Sequence, residues 1–288
     1  MFKKIFAASV VFAACVVLVG IARAGFHPQL VFYVPIDGNE AVDIAGVMVR
    51  DPAAGGVINA FFSNDTPDRL GAGQSLDFAA ADQVVDFGNL PLLEGAEAST
   101  VSMWVKAFTV VPDGNRRHYT LSKDGVLEYG FRNGEITNRI NNADHAQSTG
   151  LVLEPEWTHL ASVFDSKGDG GNGTIQHYVN GLAFGDPILL NGNLDAGANE
   201  GGLVYVANDN PLTLGNRIGG DDKDFDGLID DIAIWDTALP ARSIACLFSG
   251  FPPDSPYFDP CFVPEPSTLV LASLGLLGLL GFGQRRRK

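Results

Sequence analysis

The chain has 288 residues, 46% hydrophobic and 18% charged, which is enough apolar material for a core and excludes a wholly disordered polypeptide. Its 34 Asp+Glu outnumber its 19 Lys+Arg, for a net charge of −15, so it lacks the basic surface that displaces counterions from nucleic acid. The 34 glycines follow no period, which excludes a collagen-like chain.

Residues 1–24 have the three parts of a secretory signal peptide. Lys3 and Lys4 give the charged start, Ile5 to Ile21 is almost wholly apolar, and Ala22 and Ala24 are the small residues of a cleavage site. An uncleaved membrane anchor is the rival reading of the same stretch.

Residues 25–250 read as one β-rich domain. Short alternating runs lie between Gly/Asn/Asp turns, and helical periodicity is scarce. In Thr100 to Ala107, Val101, Met103 and Val105 fall on one face, with Ser102, Trp104 and Lys106 on the other. Glu128 to Ile140 reads as a hairpin turning at Asn133-Gly134. Trp157 to Asp165 is a further strand, which turns through the Gly/Asp-rich stretch to Gly173 and returns as Thr174 to Val179. Asn180-Gly181 then turns into Leu182–Phe184. One helix is expected at Pro240 to Phe248, because Pro is favoured near a helix start. Many antiparallel strands with one late helix predict an all-β, two-sheet sandwich of jelly-roll type.

The sharpest local signal is Asp222, Asp224, Asp226 and Asp230 around Gly227. Oxygen ligands at alternating positions followed by Gly match the first half of a calcium loop. The twelfth position is Ala233 instead of Glu, so a complete EF-hand is excluded. Two readings stay open: a structural calcium site, or a solvated acidic loop leading into the last core strand. The acidic stretch Asp165 to Asn172 reads as a hairpin tip, and Asp77, Asp82 and Asp86 as strand-edge residues.

No catalytic constellation is present. There is no H-E-x-x-H and no G-x-S-x-G. Of His27, His118, His145, His159 and His177, the pair His159 and His177 falls on strands expected to be neighbours, where it would bind metal, relay protons or simply hydrogen-bond within a sheet.

With the signal gone, Cys246 and Cys261 remain, an even pair in an oxidising compartment, which predicts a disulfide. Closing a loop of about 15 residues contributes roughly 3 kcal/mol in the chain-entropy view. Residues 251–263, with Pro252, Pro253, Pro256 and Pro260, read as a linker. Residues 264–288 follow: Pro264, Glu265 and Pro266, an apolar run from Leu269 to Phe282, then Arg285, Arg286, Arg287 and Lys288. The run is short for a bilayer, which takes about 20 residues, although local thinning accommodates it. The basic end belongs on the cytoplasmic side. This order of motif, hydrophobic helix and Arg-rich end closely resembles the PEP-CTERM sorting signal. The resemblance implies a Gram-negative bacterium that makes exopolysaccharide, processing by an exosortase-type membrane enzyme, and delivery to the cell surface or extracellular matrix, with the C-terminal transmembrane helix as anchor before processing. Without both ends, residues 25–263 keep 12 Lys+Arg and 33 Asp+Glu, a net charge of −21.

The body itself resembles a known family. Leu30 to Asn39, Ser75 to Phe87, Ser99 to Lys106, Glu156 to Asp165, Tyr178 to Gly181, Pro211 to Gly215 and Gly227 to Thr237 are similar, in order and spacing, to the strands of LamG-like jelly-roll domains of the concanavalin A-like lectin/glucanase superfamily. Two departures are Ala80-Ala81 before Asp82, and Asn180 in place of Asp at a turn. The resemblance implies a binding module, and its calcium-binding members favour calcium at the acidic loop. The superfamily's retaining glucanases carry E-x-D-x-E on one strand, which points two carboxylates into a cleft. Glu154-Pro155-Glu156 is the nearest approach, broken by Pro and lacking a third acid, so an enzyme is not expected. Sandwich lectins use exposed aromatics and amides, and the candidates here are Tyr119, Tyr129, Arg132, Asn138, Arg139, Asn141 and Asn142. Trp104, Trp157 and Trp235 fall in family-type strands and are expected in the core. The expected partner is an extracellular polysaccharide, or a matrix protein if the domain is structural or adhesive.

Overall fold

The computed structural model describes residues 29–36, 43–44, 47–48, 61–71, 73–79, 83–108, 117–132, 135–147, 155–192, 194, 202–217 and 224–253. The expected signal peptide and sorting tail lie outside them. No helix among the described residues is long and apolar enough to cross a membrane.

The strands follow in chain order. They begin with β1 (Leu30–Val34), β2 (Asp43–Ile44), β3 (Val47–Met48), β4 (Phe61–Ser63), β5 (Ser75–Asp77) and β6 (Val85–Asp86). Longer strands follow: β7 (Ala98–Ala107), β8 (Arg117–Lys123), β9 (Leu127–Arg132), β10 (Glu135–Ile140) and β11 (Ala143–Gln147). After β12 (Thr158–Asp165) a short helical turn α1 (Gly168–Gly171) leads to β13 (Thr174–Val179) and β14 (Leu182–Leu189). The body closes with β15 (Leu212–Leu214), β16 (Gly227–Trp235) and helix α2 (Ala241–Phe248).

Two antiparallel sheets face each other. The larger has the order β14-β13-β12-β7-β16-β5-β4, with β1 also paired to β16. The smaller has the order β11-β10-β9-β8-β15-β6. The core between them takes the alternate residues of each strand: Val101, Met103 and Val105 from β7, Leu160 and Phe164 from β12, and Leu127, Tyr129 and Phe131 from β9. This is the expected jelly-roll sandwich, and the period of two in β7 falls as the sequence predicts.

The larger sheet is covered on its outer face as well. There α2 and β1 bury Trp235, Ala161 and Val163 beneath Ile244 and Leu247. The helix begins after Pro240, whose extended backbone (φ −69°, ψ 154°) turns the chain into the first helical residue. Covering both faces makes the whole of β16 buried, which is why its apolar residues, Leu228, Ile229 and Ile232 to Trp235, fall in runs and do not alternate.

Asn180 and Gly181 both have positive φ, 50° and 78°, the geometry of a two-residue hairpin turn between β13 and β14. Gly215, at φ +79°, supports the sandwich differently: a Cβ there would overlap the Phe78 ring in the core. Gly215→Ala is therefore expected to cost roughly 2–4 kcal/mol, from left-handed strain plus overpacking. Urea unfolding checks this, and a value within a few tenths of wild type would refute the packing argument.

Candidate functional site

A groove of about 560 Å³ opens on the outer side of the larger sheet, lined by Asp65, Arg69, Trp104, Lys106, Glu156 and Trp157 among others. Five separate stretches build it: the turn after β4, the end of β7, the loop before β12, the β13–β14 turn at Asn180, and the end of α2 at Phe248.

Asp65 is the hub. Lys106 Nζ donates to its Oδ2 at 2.6 Å, and the Trp157 indole Nε1–H donates to its Oδ1 at 2.8 Å. The lysine hydrogen bond, opposed by burial and aided by Trp157, holds the Asp65 carboxyl below its ordinary range. A locked carboxylate fixes the plane of the Trp157 ring. The floor is aromatic: Trp104 stacks on Phe248 with centroids 5.7 Å apart, and the Arg69 guanidinium lies 4.0 Å above the Phe248 ring. The buried Trp104 Nε1–H has no hydrogen-bond partner among the described residues. Around this floor stand Asp68, Glu156 and Asn180. Aromatic surface ringed by a few fixed polar groups suits a ligand with both apolar and hydroxyl faces.

Trp157 was expected in the core, and the structure corrects this. It sits in the loop ahead of β12, half-buried, as a wall of the groove, while Trp104 and Trp235 are buried as expected. Glu156 is exposed at the groove and Glu154 lies outside the described residues.

The candidates drawn from the lectin resemblance need a second correction. Tyr119, Tyr129, Asn138 and Asn141 are buried, not exposed. Tyr129 and Asn138 point into the sandwich, where Asn138 Nδ2 donates to Ser162 Oγ at 2.7 Å. Asn141 has positive φ in the turn after β10, and its Nδ2 donates to the Val204 carbonyl at 2.8 Å. Asn142 is the one exposed member of the amide set. Arg132 and Arg139 belong to the outer face of the smaller sheet, paired with Asp144 and Glu128.

His159 and His177 are on adjacent strands as expected, yet they face opposite ways. His177 stands opposite Ser162 and stacks on Tyr129 inside the sandwich, with centroids 6.3 Å apart. His159 lies on the outer face, within 2.9 Å of Ser102 Oγ. The two therefore share neither a metal nor a proton. Burial lowers the pKa of His159 to about 3. Burial also lowers that of His177 to about 4, opposed by the His145 backbone. His145 falls to about 4 through burial, opposed by the charge of Asp144.

The acidic loop divides. Asp222 lies outside the described residues. Asp224 accepts from Asn216 Nδ2, and its carbonyl meets His118 Nδ1 at 2.8 Å. Asp230, 2% exposed, stands opposite Trp104 in the larger sheet and accepts from the Asp231 backbone N–H. No group of three His, Cys, Asp or Glu that would hold a metal occurs among the described residues. Asp77, Asp86 and Asp165 each accept a backbone N–H two residues on, as turn-forming carboxylates do. Asp82 lies outside the described residues. Cys246 is disulfide-bonded, and its expected partner Cys261 is likewise outside them.

Comparison with known proteins gives the following. Residues 79–245 match the family model described as concanavalin A-like lectin/glucanases superfamily. Residues 262–288 match the PEP-CTERM protein-sorting motif. Among solved structures, the binding domain of Paraclostridial Mosquitocidal Protein 1 is similar at TM-score 0.52 and 12% identity, covering 76% of this chain and 52% of that one. The receptor binding domain of the botulinum neurotoxin C/D mosaic serotype is similar at TM-score 0.50 and 14% identity, over 77% and 51% of the two chains. The botulinum neurotoxin serotype D ligand binding domain, solved in complex with N-acetylneuraminic acid, is similar at TM-score 0.50 and 13% identity, over 78% and 52%. The chain spans about half the length of these structures, and at such identities the likeness is one of fold. No curated protein matches the sequence.

Proposed function

The chain belongs to the concanavalin A-like lectin/glucanases superfamily, and on that premise we propose that it is an exported, non-catalytic protein of the cell surface or exopolysaccharide matrix that binds carbohydrate in the Trp157 groove. The observation that carries the reading is the groove itself. It joins an indole fixed by Asp65 to an aromatic floor and a polar rim, the combination that holds a sugar by its apolar face and its hydroxyls. The sorting motif at 262–288 supports export and handling by an exosortase-type enzyme. A fold of this kind hosts many activities, so function is argued from the groove and not from the sandwich. The absence of a paired-carboxylate strand in the sequence supports a binding role over glycoside hydrolysis.

A glycan array probed with the full chain tests this. Trp157→Ala is expected to weaken binding tenfold or more, about 1.4 kcal/mol or above, as for a central aromatic anchor. Trp157→Phe, which keeps a ring and loses the N–H, is expected to retain most of the affinity. Equal binding by wild type and Trp157→Ala would remove the groove from consideration. Failure to bind any glycan, with retention of matrix proteins instead, would favour the reading of a structural or adhesion module.

A further inference from the structure

The opposite side of the molecule carries a charge pattern at odds with its composition. Residues 25–263 have 12 Lys+Arg against 33 Asp+Glu. Four of those twelve, Arg117, Arg132, Arg139 and Arg217, gather at the outer face of the smaller sheet. Arg117 Nη2 and Arg132 Nη1 both donate to the same oxygen of Asp144, each at 2.6 Å. Arg139 Nη1 donates to Glu128 Oε2 at 2.6 Å, and Arg217 Nη1 to Asp124 Oδ1 at 2.9 Å. Among the described residues, these four guanidiniums meet Asp144, Glu128 and Asp124.

A network built only to hold strands together would finish its own hydrogen bonds, because a buried polar atom left unmade costs stability. This one does not. Tyr119 sits among Arg117, Arg139, Arg217 and Glu128, which are the charges its phenol feels. It is 0% exposed, and its hydroxyl has no hydrogen-bond partner among the described residues. Thr137 Oγ1, two strands away on β10, and the Nε–H groups of Arg117 and Arg217 also lack a hydrogen-bond partner among the described residues. The guanidinium-bearing side chains stay 18–28% exposed, so they form a rim above a buried floor. A cavity of about 80 Å³ lined by Ser122, Asp124, Thr213 and Arg217 continues the face. Burial first, and the Glu128 charge second, raise the pKa of the Tyr119 phenol, so it remains a donor at any physiological pH.

We propose that this face is a second binding site, in which Arg117, Arg139 and Arg217 receive a sugar carboxylate and the Tyr119 hydroxyl donates to it. Arginine forks match a planar carboxylate with two donors at once. Asp144, held by two arginines, shows the face accepting such a group from the chain itself. The Tyr119 hydroxyl and the Nε–H groups of Arg117 and Arg217 are donors that the carboxylate of an acidic saccharide would satisfy. The role in polysaccharide binding rests on the export reading above, but the site is separate from the Trp157 groove and recognises a different chemistry.

The test uses the full chain in affinity electrophoresis against polygalacturonate and alginate, with uncharged dextran and inorganic sulfate as controls. The expected result is retardation by at least one uronate polymer, none by dextran, and no displacement by sulfate at matched ionic strength. Tyr119→Phe is expected to melt at the wild-type temperature or above it, since the lost hydroxyl had no partner, and to weaken uronate binding about tenfold. Arg217→Gln is expected to weaken it similarly, while Trp157→Ala leaves it unchanged. Uronate binding unaffected by Tyr119→Phe, binding fully displaced by sulfate, or no binding to either uronate polymer overturns the proposal. Loss of uronate binding in Trp157→Ala alone would assign the ligand to the groove instead.

Discussion

Acidification from pH 6.5 toward pH 4 is expected to remove stability from this domain steeply. Three histidines carry the effect. Burial lowers His145 and His177 to about 4 and His159 to about 3, whereas in the unfolded chain each titrates near its ordinary value of 6.5. The unfolded state therefore binds more protons below pH 6.5, and the stability contributed by each neutral imidazole is lost as pH falls toward the folded pKa. Each such group gives a slope of about 1.4 kcal/mol per pH unit, so three give about 4 kcal/mol per unit, or roughly 6 kcal/mol by pH 5. That is comparable to the whole stability of an ordinary domain, about 5–15 kcal/mol. Urea unfolding at pH 7.5, 6 and 5 measures it. His177→Phe keeps the stacking surface against Tyr129 and removes one titrating group, so the slope should fall by about a third. Stability flat between pH 7 and 5 would mean that these side chains take up protons without unfolding.

The second large effect is expected at Glu128, which is 1% exposed. Arg139 holds it at 2.6 Å and Arg217 stands 3.6 Å away. Arg139→Met strips away the nearer partner and leaves a carboxylate almost out of water, which costs about 3 kcal/mol or more. Adding Glu128→Met removes the stranded charge, and the double variant is expected to recover most of the loss. The urea midpoints of the two single variants and the double variant form a cycle, with a coupling of about 2 kcal/mol or more expected. Additive effects would show that Arg217 alone neutralises Glu128. Such a result would also place Arg217 closer to the structural network than to a ligand.

Much of the architecture was legible along the chain. The alternation at Val101, Met103 and Val105 reports a half-apolar strand because side chains on a pleated backbone point to opposite faces in turn. Asn180-Gly181 reports its turn because these residues tolerate positive φ. The family resemblance followed from seven such segments in order. The candidate sites were not legible in the same way. The lectin-type candidates Tyr119 and Tyr129 are only ten residues apart, yet one lies on the outer face and the other in the core. A register shift between Tyr119 and Leu121 in β8 changes which residues oppose Tyr129. A bulge of this kind interrupts the alternation, so side-chain direction beyond it cannot be counted off the sequence. A second shift, between Asp230 and Ala233, interrupts the alternation of β16 in the same way.

By itself the sequence determined the sorting motif at 262–288 and the two-sheet sandwich, because motif order, turn chemistry and strand period are local properties. It also determined that no paired-carboxylate strand is present. Only the tertiary structure decided what the polar residues do. Asp65 and Trp157 stand 92 positions apart and meet in one hydrogen bond, and Arg217 reaches Asp124 across 93. Such meetings are set by the packing of strands that are distant in the chain. The same packing buries both faces of the larger sheet, so a polar side chain such as His159 or His177 is sealed in and loses its charge although its sequence neighbours look ordinary.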